Sequence, residues 1–251
     1  MGSRKPLIAG NWKMYGRAAD LAEIGVLTET IGAAATKIEV LVCPPAAFIQ
    51  SAAWQNRAGP ILIGAQDCSP NAADAARTGE VSAAMLADAG AHYIIVGHSE
   101  RRQIHGETDA LVRQKAEATI AAGLTPVVCV GETQAERAAG KVAEVVGRQV
   151  QGSAPGQGAF VVAYEPVWAI GGNSTPTLAE IGEVHTLIRD TLVGQFGAQA
   201  NETRILYGGS VNPKNAGEIF TVNGVDGALV GRASLKAADF SAIILGHPAA
   251  A

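Results

Sequence analysis

The run Phe160-Val-Val-Ala-Tyr164 contains no charged residue and is closed by Glu165-Pro166. A strand with one face in water alternates apolar and polar residues, whereas an unbroken run suits a strand covered on both faces, as in a parallel sheet. A stretch of proline, glycine and small polar residues follows to Pro176, and then Thr177-x-x-Glu180. That spacing predicts a capping box, in which each side chain satisfies a free N–H of a helix's first turn. Ile181, Val184, Ile188 and Leu192 continue it as one apolar helical stripe. The unit reads as strand, loop, helix.

Seven further runs repeat it: Leu7-Ile8-Ala9, Ile38 to Cys43, Ile61-Leu62-Ile63, Tyr93 to Val96, Pro126 to Val130, Arg204 to Tyr207 and Ala228 to Val230. Their spacing of about 20 to 45 residues suits βαβ units. Between them, Leu21, Ile24, Leu27 and Ile31 share one helical face, as do Val142, Val145, Val146 and Val150. Thr133-x-x-Glu136 predicts a second capping box, and Asn212-Pro213 an N-cap followed by proline at the first helical position. Eight strand–helix pairs in 251 residues predict an α/β fold of the (β/α)8 type, a parallel eight-stranded closed barrel with outer helices. One domain would then span 1–251, with a short flexible tail at about 247–251. A doubly wound open sheet is the rival, weakened because no G-x-G-x-x-G follows the first run.

Composition agrees. Charged residues make up 17% and aromatics 5% against 48% hydrophobic, so aliphatic side chains must fill the core. A net charge of -4 gives no footprint for nucleic acid. No uncharged apolar span is long enough for a membrane helix, and Leu7-Ile8-Ala9 is too short for a signal-peptide core. Cys43, Cys68 and Cys129 are too few and scattered for a disulfide framework or zinc cluster. The expectation is a soluble cytoplasmic protein.

In such a barrel chemistry belongs at the C-terminal ends of the strands. Those ends read Gly10-Asn11-Trp12-Lys13, Gln66-Asp67, Gly97-His98-Ser99-Glu100-Arg101-Arg102, Gly131-Glu132, Glu165-Pro166, Gly208-Gly209-Ser210 and Gly231-Arg232. Glycine loops after strands 7 and 8 suit a phosphate held by backbone N–H groups, although Gly-Gly also makes a simple tight turn. Glu165, His98 and Lys13 form a set for proton transfer beside a carbonyl. The carboxylate takes the proton, and imidazole and ammonium steady the developing enediolate oxygen. No metal ligands are evident. Glu100 is either a carboxylate supporting Lys13 or an ion-pair partner of Arg101 or Arg102; Ser99 lies at the same edge. Pro166, Val167, Trp168, Ala169, Ile170, Gly171, Gly172, Asn173, Ser174, Thr175 and Pro176 have the length of a lid. A lid would keep water from an enediol phosphate, which otherwise eliminates its phosphate. A surface loop pinned by Trp168 is the alternative.

At these residues the chain resembles the triosephosphate isomerases. The matching blocks are Ala9-Gly-Asn-Trp-Lys-Met14, Gly64-Ala-Gln-Asp67, Thr78-Gly-Glu-Val-Ser82, Val96-Gly-His-Ser-Glu-Arg-Arg102 and Val128-Cys-Val-Gly-Glu-Thr133. Ala163-Tyr-Glu-Pro-Val-Trp-Ala-Ile-Gly171, Tyr207-Gly-Gly-Ser-Val211 and Val225-Asp-Gly-Ala-Leu-Val-Gly231 complete the set, in family order from end to end. The resemblance implies cofactor-free interconversion of dihydroxyacetone phosphate and D-glyceraldehyde 3-phosphate, in glycolysis and gluconeogenesis. It implies Glu165 as the base, His98 as a neutral electrophile and Lys13 as the substrate-drawing cation. Asn11 matches a polar residue on the substrate side, and Gly171, Ser210, Gly231 and Arg232 match positions whose N–H groups hold the phosphate. It further implies a homodimer, with the loop bearing Thr78, Gly79 and Glu80 entering the partner's site. The stretch from Ala65 to Glu80 is indeed too long for a simple connector.

The chain departs from the family pattern in three places. The lid has Gly171-Gly-Asn-Ser-Thr-Pro176 where Gly-Thr-Gly-Lys-Thr-Ala is usual. Arg232 stands where many members have glycine, and Tyr15 where asparagine is usual. A Schiff-base aldolase would need a lysine within Phe160 to Tyr164, and there is none. A ribulose-phosphate epimerase would show acidic and histidine metal ligands on several strands. A catalytically idle binding protein would not need Glu165.

Overall fold

The computed structural model describes residues 4–170 and 175–250. Its strands are β1 (Leu7–Asn11), β2 (Glu39–Cys43), β3 (Leu62–Ala65), β4 (Tyr93–Val96), β5 (Thr125–Val130), β6 (Val161–Tyr164), β7 (Ile205–Tyr207) and β8 (Gly227–Val230). Each pairs in parallel with the next, and β8 returns to β1 with Leu7 opposite Gly227, which closes the barrel.

The sequence runs look uniform, but the strand period of two sorts them. Leu7, Ala9, Leu41, Cys43, Val127 and Cys129 point inward and form a cluster filling the barrel. Ile8, Val40, Val42, Val128 and Val130 point outward and meet the helices in a second, larger core. With both faces covered, the strands between their ends have no place for charge. Charge is therefore confined to the two ends of the barrel.

The helices follow their sequence signals closely. Leu21, Ile24, Leu27 and Ile31 are buried, as are Ile181, Val184, Ile188 and Leu192. Both capping boxes form, at Thr133/Glu136 and Thr177/Glu180. Two expectations are corrected. Asn212 does not cap the helix Ala216–Ile219, whose N-cap is Asn215. Asn212 and Asn215 instead make a reciprocal turn: Asn212 N–H donates to Asn215 Oδ1 at 2.8 Å, and Ala216 N–H reaches the Asn212 carbonyl at 3.1 Å. That turn uses up the residues the helix would otherwise have gained. Nor are residues 247–250 a loose tail. Pro248–Ala250 form a 3-10 turn, and the His247 ring lies 4.7 Å from that of Phe220. Ala251 is outside the described residues. No helix among the described residues is long and apolar enough to cross a membrane.

Candidate active site

The C-terminal ends of the strands open into a cavity of about 770 Å³, lined among others by Asn11, Lys13, His98, Glu100, Glu165, Ser210, Gly231 and Arg232. Glu165, directly after β6, is 2% exposed. Its position depends on two glycines. A Cβ on Gly131 would sit 1.7 Å from the Glu165 carbonyl oxygen, and one on Gly208 would be 2.9 Å from Glu165 Cγ. Any side chain at Gly131 would push the carboxylate out of place.

The carboxylate is fully partnered. Glu165 Oε1 lies 2.8 Å from His98 Nε2, and Oε2 accepts the Ser99 N–H at 2.9 Å. Burial pushes the carboxyl up, but the His98 ring, the Ser99 N–H and Lys13 together hold it below its ordinary range. His98 begins the helix Ser99–His105, and its Nδ1 accepts the Glu100 N–H at 3.2 Å. The ring proton of the neutral form is thereby fixed on Nε2, facing Glu165. Burial pushes the imidazolium down, and the Glu165 charge outweighs it, so His98 sits above its ordinary value while the two touch.

Lys13 has φ +52°, the one non-glycine residue in the left-handed region among those described. Such a backbone persists only where its surroundings hold it. Asn11 Oδ1 accepts the Lys13 N–H at 2.9 Å, Gln66 Nε2 donates to the Lys13 carbonyl at 2.9 Å, and Trp12 Nε1 donates to the Ser234 carbonyl at 3.1 Å. Asn11 thus acts first on Lys13's backbone. Lys13 Nζ meets Glu100 Oε1 at 2.6 Å. This decides between the two readings of Glu100, since Arg101 pairs with Asp67 and Glu107 and Arg102 with Asp109.

Behind the candidate lid, Trp168 Nε1 donates to Glu132 Oε1 at 2.8 Å, and the Arg137 guanidinium lies 4.9 Å from the Trp168 ring centroid. Arg137 also pairs with Glu132 at 2.8 Å and with Glu180, of the capping box after the lid, at 3.0 Å. Arg137 therefore spans from the leading to the trailing end of the loop. Pro166 and Pro176 are buried and Ile170 lines the cavity. Gly171, expected at the phosphate, and Gly172, Asn173 and Ser174 lie outside the described residues. The N–H groups of Gly209, Ser210 and Arg232 donate to no other described residue. They stand at the cavity wall, ready for an anion.

Thr78, Gly79 and Glu80 do not join this cavity. They belong to nine consecutive exposed residues, 72–80, on a loop pinned at its base where Ser69 N–H donates to the Val81 carbonyl at 2.8 Å. Gln66, Glu132, Arg137, Gly131 and Gly208 were not recognisable as supports in sequence. Four of them stand at strand ends, which is the only signal they gave. The three thiols are buried and free, and no cluster of potential metal ligands occurs among the described residues.

The family model described as triosephosphate isomerase matches residues 6–246. The triosephosphate isomerase of Afipia carboxidovorans is 55% identical over 246 residues, covering 96% of this chain and 97% of the relative. That of Ruegeria sp. (strain TM1040) is 57% identical over 243 residues, covering 96% and 97%. Among solved structures, triosephosphate isomerase from Bartonella henselae superimposes with a TM-score of 0.89 at 42% identity, covering 96% of this chain and 98% of the other.

Proposed function

Because the chain belongs to the triosephosphate isomerase family, whose reaction interconverts dihydroxyacetone phosphate and D-glyceraldehyde 3-phosphate, we propose that Glu165, His98 and Lys13 carry that reaction here, without a cofactor. The observation that carries this reading is the buried Glu165 carboxylate, 2.8 Å from His98 Nε2, at the wall of a cavity that Lys13 also lines.

Glu165 leaves His98 for the substrate and takes the proton from the carbon beside the carbonyl. The electron pair moves onto the carbonyl oxygen, giving the enediolate. The hydroxyl proton passes to the oxygen that was the carbonyl, by way of His98 Nε2, and Glu165 returns the carbon proton to the former carbonyl carbon, so that base and acid are one group there. Once the carboxylate turns away, burial and the Glu100 N–H on Nδ1 favour a neutral ring, and its Nε2–H is free to donate to the substrate oxygens. Lys13 adds a cation to the same developing charge. Both donors are fixed before the reaction, which is what makes them effective. The N–H groups of Ser210, Gly231 and Arg232, with that of Gly171, hold the phosphate. Residues 166–176 act as the lid that excludes water from the enediolate. Its leading end, Trp168, is released from Glu132 as it closes.

A second copy of the chain is the other expected partner. Met14, next to Lys13, is 92% exposed, and Tyr15 and Met85 are also open to solvent. Apolar side chains of this size beside a protruding loop suit a homodimer that places Thr78 near the partner's Lys13. Sedimentation at micromolar protein should give twice the chain mass, and a monomer would refute the pairing. Three buried free thiols suit a reducing cytoplasmic setting.

The test is a coupled isomerase assay of Glu165→Asp. The shorter carboxylate should keep phosphate affinity and lower kcat about 10²-fold, because a base displaced by about 1 Å loses its alignment. Unchanged turnover would refute the assignment.

A further inference from the structure

Two cations line the cavity, Lys13 and Arg232, against three carboxylates, Glu100, Glu165 and Asp239. Even with the His98–Glu165 pair counted as neutralising itself, the walls carry no excess of positive charge, in a chain whose own net charge is -4. A phosphate dianion approaching this surface meets no net attraction unless a cation is left unspent. Lys13 is already shared, since Glu100 holds its Nζ at 2.6 Å. Arg232 differs. It is exposed, and its guanidinium makes no hydrogen bond or ion pair with any other described residue. It follows Gly231 at the end of β8, where a Cβ on Gly231 would lie 3.6 Å from Lys13 Cε. It lines the same cavity as Gly209 and Ser210.

We propose that the Arg232 side chain, beyond its backbone N–H, is a further determinant of phosphate-dianion capture in this chain: a free guanidinium that draws the dianion in and then grips its oxygens. The inference rests on the phosphate end of the cavity being where the proposed function puts it. Guanidinium suits this task because its planar fork meets phosphate oxygens in pairs and it stays charged at every working pH. A lone charge at the mouth of such a cleft acts mainly on encounter, so its effect must fade with salt.

The test uses the full chain, with inorganic phosphate as the probe, in wild type, Arg232→Gly and Arg232→Lys. Gly keeps the N–H and removes the cation; Lys keeps the charge and removes the fork. Calorimetric titration should show phosphate affinity weakened about three- to tenfold in Arg232→Gly at low salt. The gap should narrow at high salt, and Arg232→Lys should fall between the other two. In turnover, the greater part of the Arg232→Gly loss should appear in KM rather than kcat. Unchanged phosphate affinity in a folded Arg232→Gly chain would overturn the proposal, and so would a loss indifferent to salt. The two readings fail separately. Isomerase activity with phosphate affinity indifferent to Arg232 removes this inference alone. Arg232-dependent phosphate binding without isomerase activity removes the catalytic assignment and leaves this one standing.

Discussion

The barrel's two ends both carry clusters of charge, and they spend it differently. At the N-terminal ends of the strands, Glu39 accepts from Tyr93 Oη and from Arg204 Nη1 at 3.0 Å, and Arg204 also donates to Tyr93 Oη at 2.7 Å. Beside them Asp226 accepts from Arg4 at 2.8 Å, from Arg189 at 3.3 Å and from the Ile205 N–H at 2.9 Å. Each of these carboxylates answers several donors, and the cluster closes the barrel. At the C-terminal ends the same residue types leave a cavity between them. Glu165 and Lys13 are each held by partners that touch the cavity too, while Arg232 and several N–H groups have none among the described residues. One end satisfies its charges against each other; the other keeps them available for a ligand. The same polar chemistry gives closure in one place and reactivity in the other, and the difference is whether the donors and acceptors balance within the protein.

Mutations on the two ends should therefore separate activity from stability. The largest effect belongs to Lys13→Ala, which removes a preorganised donor and should lower kcat/KM about 10²- to 10³-fold with the fold intact. A steady-state assay beside a thermal melt checks both halves. Arg204→Met should do the reverse. Leaving Glu39 and Tyr93 short of a donor should cost about 1–3 kcal/mol, a Tm loss of several degrees, with kcat unchanged. If Arg204→Met instead abolished turnover at unchanged Tm, the contrast between the ends would be wrong.

A smaller effect sharpens the account of the His98–Glu165 pair. Glu165→Gln removes the charge that raises His98 and leaves burial, which lowers it. An NMR titration of the His98 ring should show its pKa falling in the variant; a rise would contradict the pairing. The linkage signs follow. His98, raised by folding, adds stability present below the unfolded histidine value of about 6.5 and lost as pH rises through the folded value. Glu165, lowered by folding, adds stability present above the unfolded carboxyl value of about 4.3 and lost as pH falls through the folded one. Their joint contribution thus spans the interval between those two folded values, and Glu165→Gln should flatten the pH profile of Tm there.

Much of this architecture was legible in the chain because parallel strands buried on both faces have little choice of residue. All eight runs became strands, with Ile38, Ile61, Phe160 and Arg204 falling just outside the starts of β2, β3, β6 and β7. The pairing of Lys13 with Glu100 was legible only as one of two options, since the competing partners Asp67, Glu107 and Asp109 come from elsewhere in the chain. The supports were not legible at all. Gln66 reaches Lys13 across 53 positions, and Trp168 reaches Glu132 across 36. Nothing local in the sequence marks such a contact. The left-handed backbone of Lys13 is likewise invisible, because lysine is not a residue that signals it. Local periodicity fixes elements; it does not say which strand end braces another.

The central claim is that Glu165 moves a substrate proton between adjacent carbons through an enediolate. Turnover in deuterium oxide, followed by proton NMR of the triose phosphates, tests it most directly. A carboxylate that holds the proton between steps exchanges it with solvent, so carbon-bound deuterium should accumulate in wild type and be lost with turnover in Glu165→Gln. Deuterium incorporation at the wild-type rate in Glu165→Gln would contradict the account.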